Sequence, residues 1–468
     1  MIALLILVGT LALLLVVRAS LPGTSSVVLF SPVGLFVVYL AIAVGTVPLL
    51  WAIGWARPWS EIAYDPYAAA LTTCIALTAT AAGIVIAFPI GAVPKTDLQT
   101  PPRNLEAALV SGLAIGVGGY LLLAVSAGGP LALLYSLADR RDLLSGSGPL
   151  RAILVVSAIA CVYGVLHTGK SRRQRCLTWA CGLSYVGSTL LTGSRFQVIV
   201  LFVAVSCAYV RVHGLSRRLG TVLLVATVAV VPLSTIYGLR VRTGLTYGQD
   251  VSLADASTVT VTTEALVGPF VRGGLDTIRT TGVATLDLPL LRFDLDLLLG
   301  SVANVIPRSL WPSKPDGAAT QFSREYFPSK WAEGTGIPPS IFAEALHSFG
   351  SGGGLVALLL LGLVLTRLSY WMMSRPRLFW VLLAPFFAAD CIQLAKGGSD
   401  GFLRTVTLQL VAVVVMVLIA RLARTTMQVS EGIVDVAESR RTVDGPLSAP
   451  SGPTRRTSVA GPTGPARQ

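Results

Sequence analysis

The sequence predicts an all-α polytopic membrane protein with about eleven transmembrane helices and one large folded loop on the non-cytoplasmic side. Three observations carry this. Of the 468 residues 53% are hydrophobic and only 13% charged, with a mean hydropathy of +0.73, well outside the balance of a water-soluble domain. Apolar runs recur at close to the length, roughly 17 to 25 residues, that a helix needs to cross a bilayer core about 30 Å thick. The basic residues between these runs fall mostly on one side.

The runs lie near residues 2–17, 33–55, 68–90, 105–127, 149–167, 176–192, 195–212, 219–239, 354–372, 378–395 and 402–422. The first has no basic n-region and no Ala-x-Ala-like cleavage site behind it, so it reads as a helix and not as a signal peptide. Loops after the odd-numbered helices hold Arg18, Lys95, Arg103, Lys170, Arg172, Arg173, Arg175, Arg211, Arg217, Arg218, Arg375 and Arg377, whereas the opposite loops hold Arg57, Arg140, Arg141 and Lys396. Basic loops stay in the cytoplasm, which predicts an outside N-terminus and a cytoplasmic C-terminus.

Residues 1–239 thus hold eight helices, 240–352 the exported loop, 353–422 three more helices, and 423–468 a cytoplasmic tail. The tail ends in SAPSGPTRRTSVAGPTGPARQ, a composition that predicts disorder. The net charge of +13 falls largely in cytoplasmic loops and tail, and no basic stripe with interleaved aromatics points to nucleic acid. All six cysteines lie in or beside predicted spans, with no disulfide framework and no metal-ligand spacing. The glycine runs GVGG and GSGGG lack the Lys-Ser/Thr of a phosphate loop and read as packing or hinge sites.

A loop of over a hundred residues is too long for a plain connector. It carries eleven of the 23 acidic residues. TLDLPLLRFDLDLLLGSVANVIP, residues 285–307, is apolar but broken by aspartates and prolines, and reads as an interfacial or re-entrant element. IPRSLWPSKP follows, where prolines stiffen a corner bearing Arg308, Trp311 and Lys314. In PPSIFAEALHSFG a short helix from about Ser340 puts Glu344 and His347, three apart, on one face, where a carboxylate can orient an imidazole. Arg195, Arg240, Arg242 and Arg404 stand at outer span ends. Guanidinium forks there match phosphate oxygens bidentately. Simple snorkelling of each arginine is the competing reading.

TGSRF at an outer span end, IPRSLWPSKP, the PPSIFAEALHSFG stretch before a span, and the SLADRRDLLSGSGPL connector together resemble the Wzy-like O-antigen and capsule polymerases of bacterial envelopes. The resemblance covers residues from about 130 to 400 and rests on short motifs. It implies a GT-C-like, inverting glycosyltransferase in the plasma membrane that polymerises repeat units carried on undecaprenyl diphosphate. It implies no cofactor and no metal, and it makes a flippase and a chain-length regulator the expected protein partners. Glu344 and His347 become the expected catalytic pair, and Arg195, Arg240, Arg242, Arg308, Lys314 and Arg404 the expected substrate-binding cations. An O-antigen ligase has a similar layout with a different acceptor. A transporter of lipid-linked glycans is the reading from another class, disfavoured because no internal repeat is visible.

Overall fold

The computed structural model describes residues 30–40, 64–87, 102, 104–129, 148–167, 169–192, 195–213, 276–286, 288–306, 310–332 and 337–443. Among them every regular element is helical. In chain order these are α1 (Pro66–Ala87), α2 (Leu105–Ser126), α3 (Gly148–Val165), α4 (Arg172–Leu191), α5 (Arg195–His213), α6 (Asp296–Val305), α7 (Ala318–Tyr326), α8 (Pro328–Ala332), α9 (Ile341–Ser374) and α10 (Leu378–Val443), with further helical stretches at 32–40 and 276–284.

Among the described residues, four helices, α1, α2, α9 and α10, are long and apolar enough to cross a membrane. Their outward faces are apolar as well. Leu71, Ile75 and Ile86 on α1, Leu121, Leu122 and Val125 on α2, Val356, Leu360 and Val364 on α9, and Leu410, Val414 and Leu418 on α10 are all exposed. Such stripes are unfavourable in water and ordinary in lipid. The expected spans near 149–167, 176–192 and 195–212 coincide with α3, α4 and α5. Those near 2–17 and 219–239, and most of 33–55, lie outside the described residues.

With lipid on the outside, small residues let the helices approach. A Cβ added to Gly83 of α1 would stand 1.9 Å from the Leu359 carbonyl oxygen of α9, and one on Gly362 would stand 2.1 Å from that of Thr80. Gly112, Gly116 and Gly119 of α2 likewise press on Ala160, Ser157 and Ile153 of α3. The GVGG run is therefore a packing surface.

Among the described residues, two glycine kinks shape one end of the bundle. In α9, Gly350 takes φ +78° and splits off a nine-residue piece, 341–349, from the membrane-crossing remainder. The backbone groups freed there are met by the extended segment 289–294: Arg292 N–H donates to Phe349 O (3.0 Å), Asp294 N–H to Ser348 O (2.8 Å), and Gly352 N–H to Leu290 O (2.8 Å). In α10, Gly397 and Gly398 break the helix, Gly398 at φ +65°. The break is a reversal, because the rings of Phe387 and Phe402 lie 5.4 Å apart, where fifteen residues of straight helix would separate them by about 22 Å. The turn expected between the spans near 378–395 and 402–422 is this kink.

The basic end of the bundle lies opposite. Asn104 donates to Ala420 O, Arg173 pairs with Glu106 at 2.8 Å, and Arg211 donates to Met373 O at 3.1 Å. These contacts bring the ends of α2, α4, α5, α9 and the second limb of α10 to one level. One expectation needs correction. α10 continues to Val443, so about twenty residues assigned to the disordered tail are helical. TTMQVSEGIVDVAESRRTV contains no proline, and the Pro-rich composition starts only at Pro446.

Candidate functional site

The site is built where the loop meets the two kinks. Pro338 and Pro339 bring the chain in extended, and Ser340 caps α9, its Oγ accepting from Ala343 N–H at 3.2 Å. Ser340 is itself held by Thr280 and Thr281 on the 276–284 stretch. This fixes the first turn, and with it Glu344 and His347.

Glu344 is fully buried. Its Oε2 accepts from Ser399 N–H at 2.7 Å, its Oε1 accepts from the Ser399 hydroxyl, and Ser301 Oγ of α6 lies 3.5 Å from Oε1. Ser399 opens the second limb of α10, so its free N–H belongs to a helix start, where a carboxylate is favoured. Gly398 is required beside it: a Cβ there would stand 2.6 Å from Glu344 Oε2 and 2.7 Å from Pro339 O. The next residue repeats the pattern, Asp400 accepting from Asn304 Nδ2 of α6 and from Ala319 N–H of α7.

His347 faces a different set. Its Nδ1 shares a 3.1 Å hydrogen bond with Tyr326 OH of α7, and the two rings meet edge to face. Arg292, Asp294 and Glu325 are the charged groups that act on it. Arg292 and Asp294 form an ion pair. The Asp294 carboxyl is held below the usual range, first by the N–H of Asp296 and further by Arg292, whereas burial and the neighbouring Glu325 push the Tyr326 phenol up. Glu344 and His347 are thus close in sequence but are not bonded to each other. The side chain bonded to the imidazole is the Tyr326 phenol, which in turn meets the Glu325 carboxylate, while Asp294 and Arg292 act on His347 through their charges.

The expected cations divide. Arg404 is exposed on α10, near enough to the half-buried Arg151 at the start of α3 for their charges to repel. Arg195 begins α5 at the same end of the bundle, although its side chain lies outside the described residues. Arg240, Arg242 and Arg308 also lie outside them. Lys314 is buried, its Nζ donating to the carbonyl oxygens of Ala303, Asn304 and Ile306. That ammonium closes the C-terminus of α6 and is directed at protein carbonyls rather than at a ligand.

Sequence reasoning missed Ser301, Ser399, Arg292, Tyr326 and Arg151. Arg292 alone carried a signal, as a cation set in the apolar stretch LPLLRFDL. Asp390, deep in α10, makes no ion pair with Lys396 or Arg404 among the described contacts; the Gln409 side chain sits beside it, and neither carboxylate oxygen has a well-formed hydrogen bond. No group of His, Cys, Asp and Glu fit to hold a metal ion occurs among the described residues. Against known proteins, no family model matches the chain, and no curated protein or solved structure matches it either.

Proposed function

We propose that this chain is a membrane glycosyltransferase that joins oligosaccharide repeat units carried on undecaprenyl diphosphate into an envelope polysaccharide. The observation that carries the reading is the ionisable cluster of His347, Tyr326, Arg292 and Asp294, with Glu344 on the same short helix, set at the kinked end of an apolar helical bundle where Arg151 and Arg404 feel each other's charge. The motifs TGSRF, IPRSLWPSKP and PPSIFAEALHSFG, with their likeness to repeat-unit polymerases, supply the substrate class.

In this reading the hydroxyl of one unit attacks the anomeric carbon of another, the bond from that carbon to the phosphate oxygen breaks, and the lipid diphosphate leaves with the electron pair. A base takes the hydroxyl proton. His347 serves if Nδ1 carries its hydrogen and donates to the Tyr326 oxygen, because Nε2 then keeps its lone pair. Glu344, tied to Ser399, anchors the 341–349 piece of α9 on which the imidazole stands and is the alternative base. Arg404 and Arg151, joined by Arg195, Arg240, Arg242 and Arg308 as the likeness to repeat-unit polymerases implies, stabilise charge on the leaving diphosphate. His347 is only 3% exposed, so the acceptor reaches it when the loop packed over it shifts.

The test is the length distribution of lipid-linked glycan in cells carrying His347→Gln or Tyr326→Phe. Single repeat units should accumulate with the first, and shortened chains should appear with the second. A normal ladder from His347→Gln at normal protein level removes the imidazole from the chemistry.

A further inference from the structure

The helix α6 is apolar on both faces: Leu297 and Ala303 are buried against the protein, and a second apolar row faces away from it. Its inward face carries Ser301, close to Glu344, and Asn304, which donates to Asp400. Its outward face carries Leu299, Val302 and Ile306, spaced i, i+3, i+7, with Leu299 and Val302 more than half exposed. Upstream, Leu290, Leu291 and Phe293 are 72%, 72% and 80% exposed. These residues are not at a loose tip. The backbone of 289–294 is bonded to α9 around Gly350, Leu290 and Leu291 lie over Gly352 and Gly353, and the Phe293 ring lies 6.1 Å from that of Phe349.

That position decides what covers them. The outward stripe of α9, Val364, Leu360 and Val356, climbs toward Gly352 and Gly353, so Leu290 and Leu291 extend the lipid-facing surface upward. An apolar face this exposed, rigidly held and continuous with a lipid-facing stripe matches an interfacial element. We infer that the segment 288–306 is a wedge seated in the outer leaflet of the bilayer, with Leu290, Leu291, Phe293 and the outer face of α6 among the acyl chains. Arg292, between Leu291 and Phe293, then stands at the depth of lipid phosphates, and the His347 cluster is held level with the head groups. The inference concerns bilayer lipid and needs no substrate, so it stands or falls apart from the enzymatic reading.

The full chain, with the exposed Cys176 replaced by serine, is spin-labelled singly through Phe293→Cys, Val302→Cys or, as a reference in the same loop, Ser329→Cys. It is reconstituted into phosphatidylethanolamine–phosphatidylglycerol vesicles. Nitroxides at 293 and 302 should relax severalfold more with dissolved oxygen than with a water-soluble nickel chelate, and the reference should show the reverse. Nickel accessibility at 293 and 302 equal to the reference overturns the wedge, and so does dipolar broadening at these sites, which would place a second copy on the face. All three labels sit at exposed positions, and unchanged elution on size exclusion confirms the fold. As a second arm, Leu291→Asp with Phe293→Asp should raise nickel accessibility of the label at 302; no change would also count against the wedge.

Discussion

Glu344 accepts hydrogen bonds from both the N–H and the hydroxyl of Ser399, and amide in place of carboxylate turns one acceptor into a donor facing donors. Glu344→Gln should therefore lower thermal stability as well as polymer synthesis, by about 1–3 kcal/mol for a buried group left unsatisfied. His347→Gln should leave the melting temperature nearly unchanged while chain extension stops, and an equal stability loss in both variants would show that both residues are structural. Asp390 predicts the opposite. Having no ion partner among the described residues, it should tolerate Asp390→Asn with stability kept or raised, because an unpaired buried carboxylate is costly; a large loss of melting temperature would reveal a charge partner. The sequence made Glu344 and His347 visible through their spacing, yet the spacing misled about their pairing. Residues three apart lie about 60° apart around a helix, enough here to turn one toward Ser399 and the other toward Tyr326. Both partners are remote in sequence, 55 and 21 residues away, and no local pattern announces them.

The helical elements were the most legible part, since apolar runs fix a helix's length and glycine fixes where it can bend. GVGG and GSGGG, read as packing or hinge sites, are both. Gly350 and Gly398 each combine positive φ with no room for a side chain. Gly398→Ala should thus displace Ser399 from Glu344 and cost about 1–3 kcal/mol in strain, visible as a lower melting temperature and lost extension; a variant that behaves like wild type would show that the kink is not needed. Gly83→Leu, driven against the Leu359 carbonyl, should separate α1 from α9 and reduce the yield of folded protein in detergent. The uncovered apolar face of α6 was less legible. Its apolar residues signal a helix in any solvent, and only the packing of Ser301 and Asn304 inward shows which face was left out.

At the scale of the whole molecule, the loop elements α6 and α7 cap the end formed by the two kinks, and the contacts of Glu106, Arg173, Arg211 and Ala420 mark the other end. The charge asymmetry predicts which of these ends faces the cytoplasm, because Lys and Arg in short loops are sorted during insertion. Single cysteines at Ser329 and Ser451 should therefore react with an impermeant thiol reagent from opposite sides of the membrane; labelling from one side would overturn the topology. The central claim is chemical, and reconstitution tests it most directly. The purified chain is placed in liposomes with undecaprenyl-diphosphate-linked repeat units and no nucleotide sugar, and the lipid-linked products are sized. The account predicts a ladder of joined units with release of undecaprenyl diphosphate, absent with His347→Gln. Movement of the lipid between leaflets without any joined product would contradict it and make the chain a transporter.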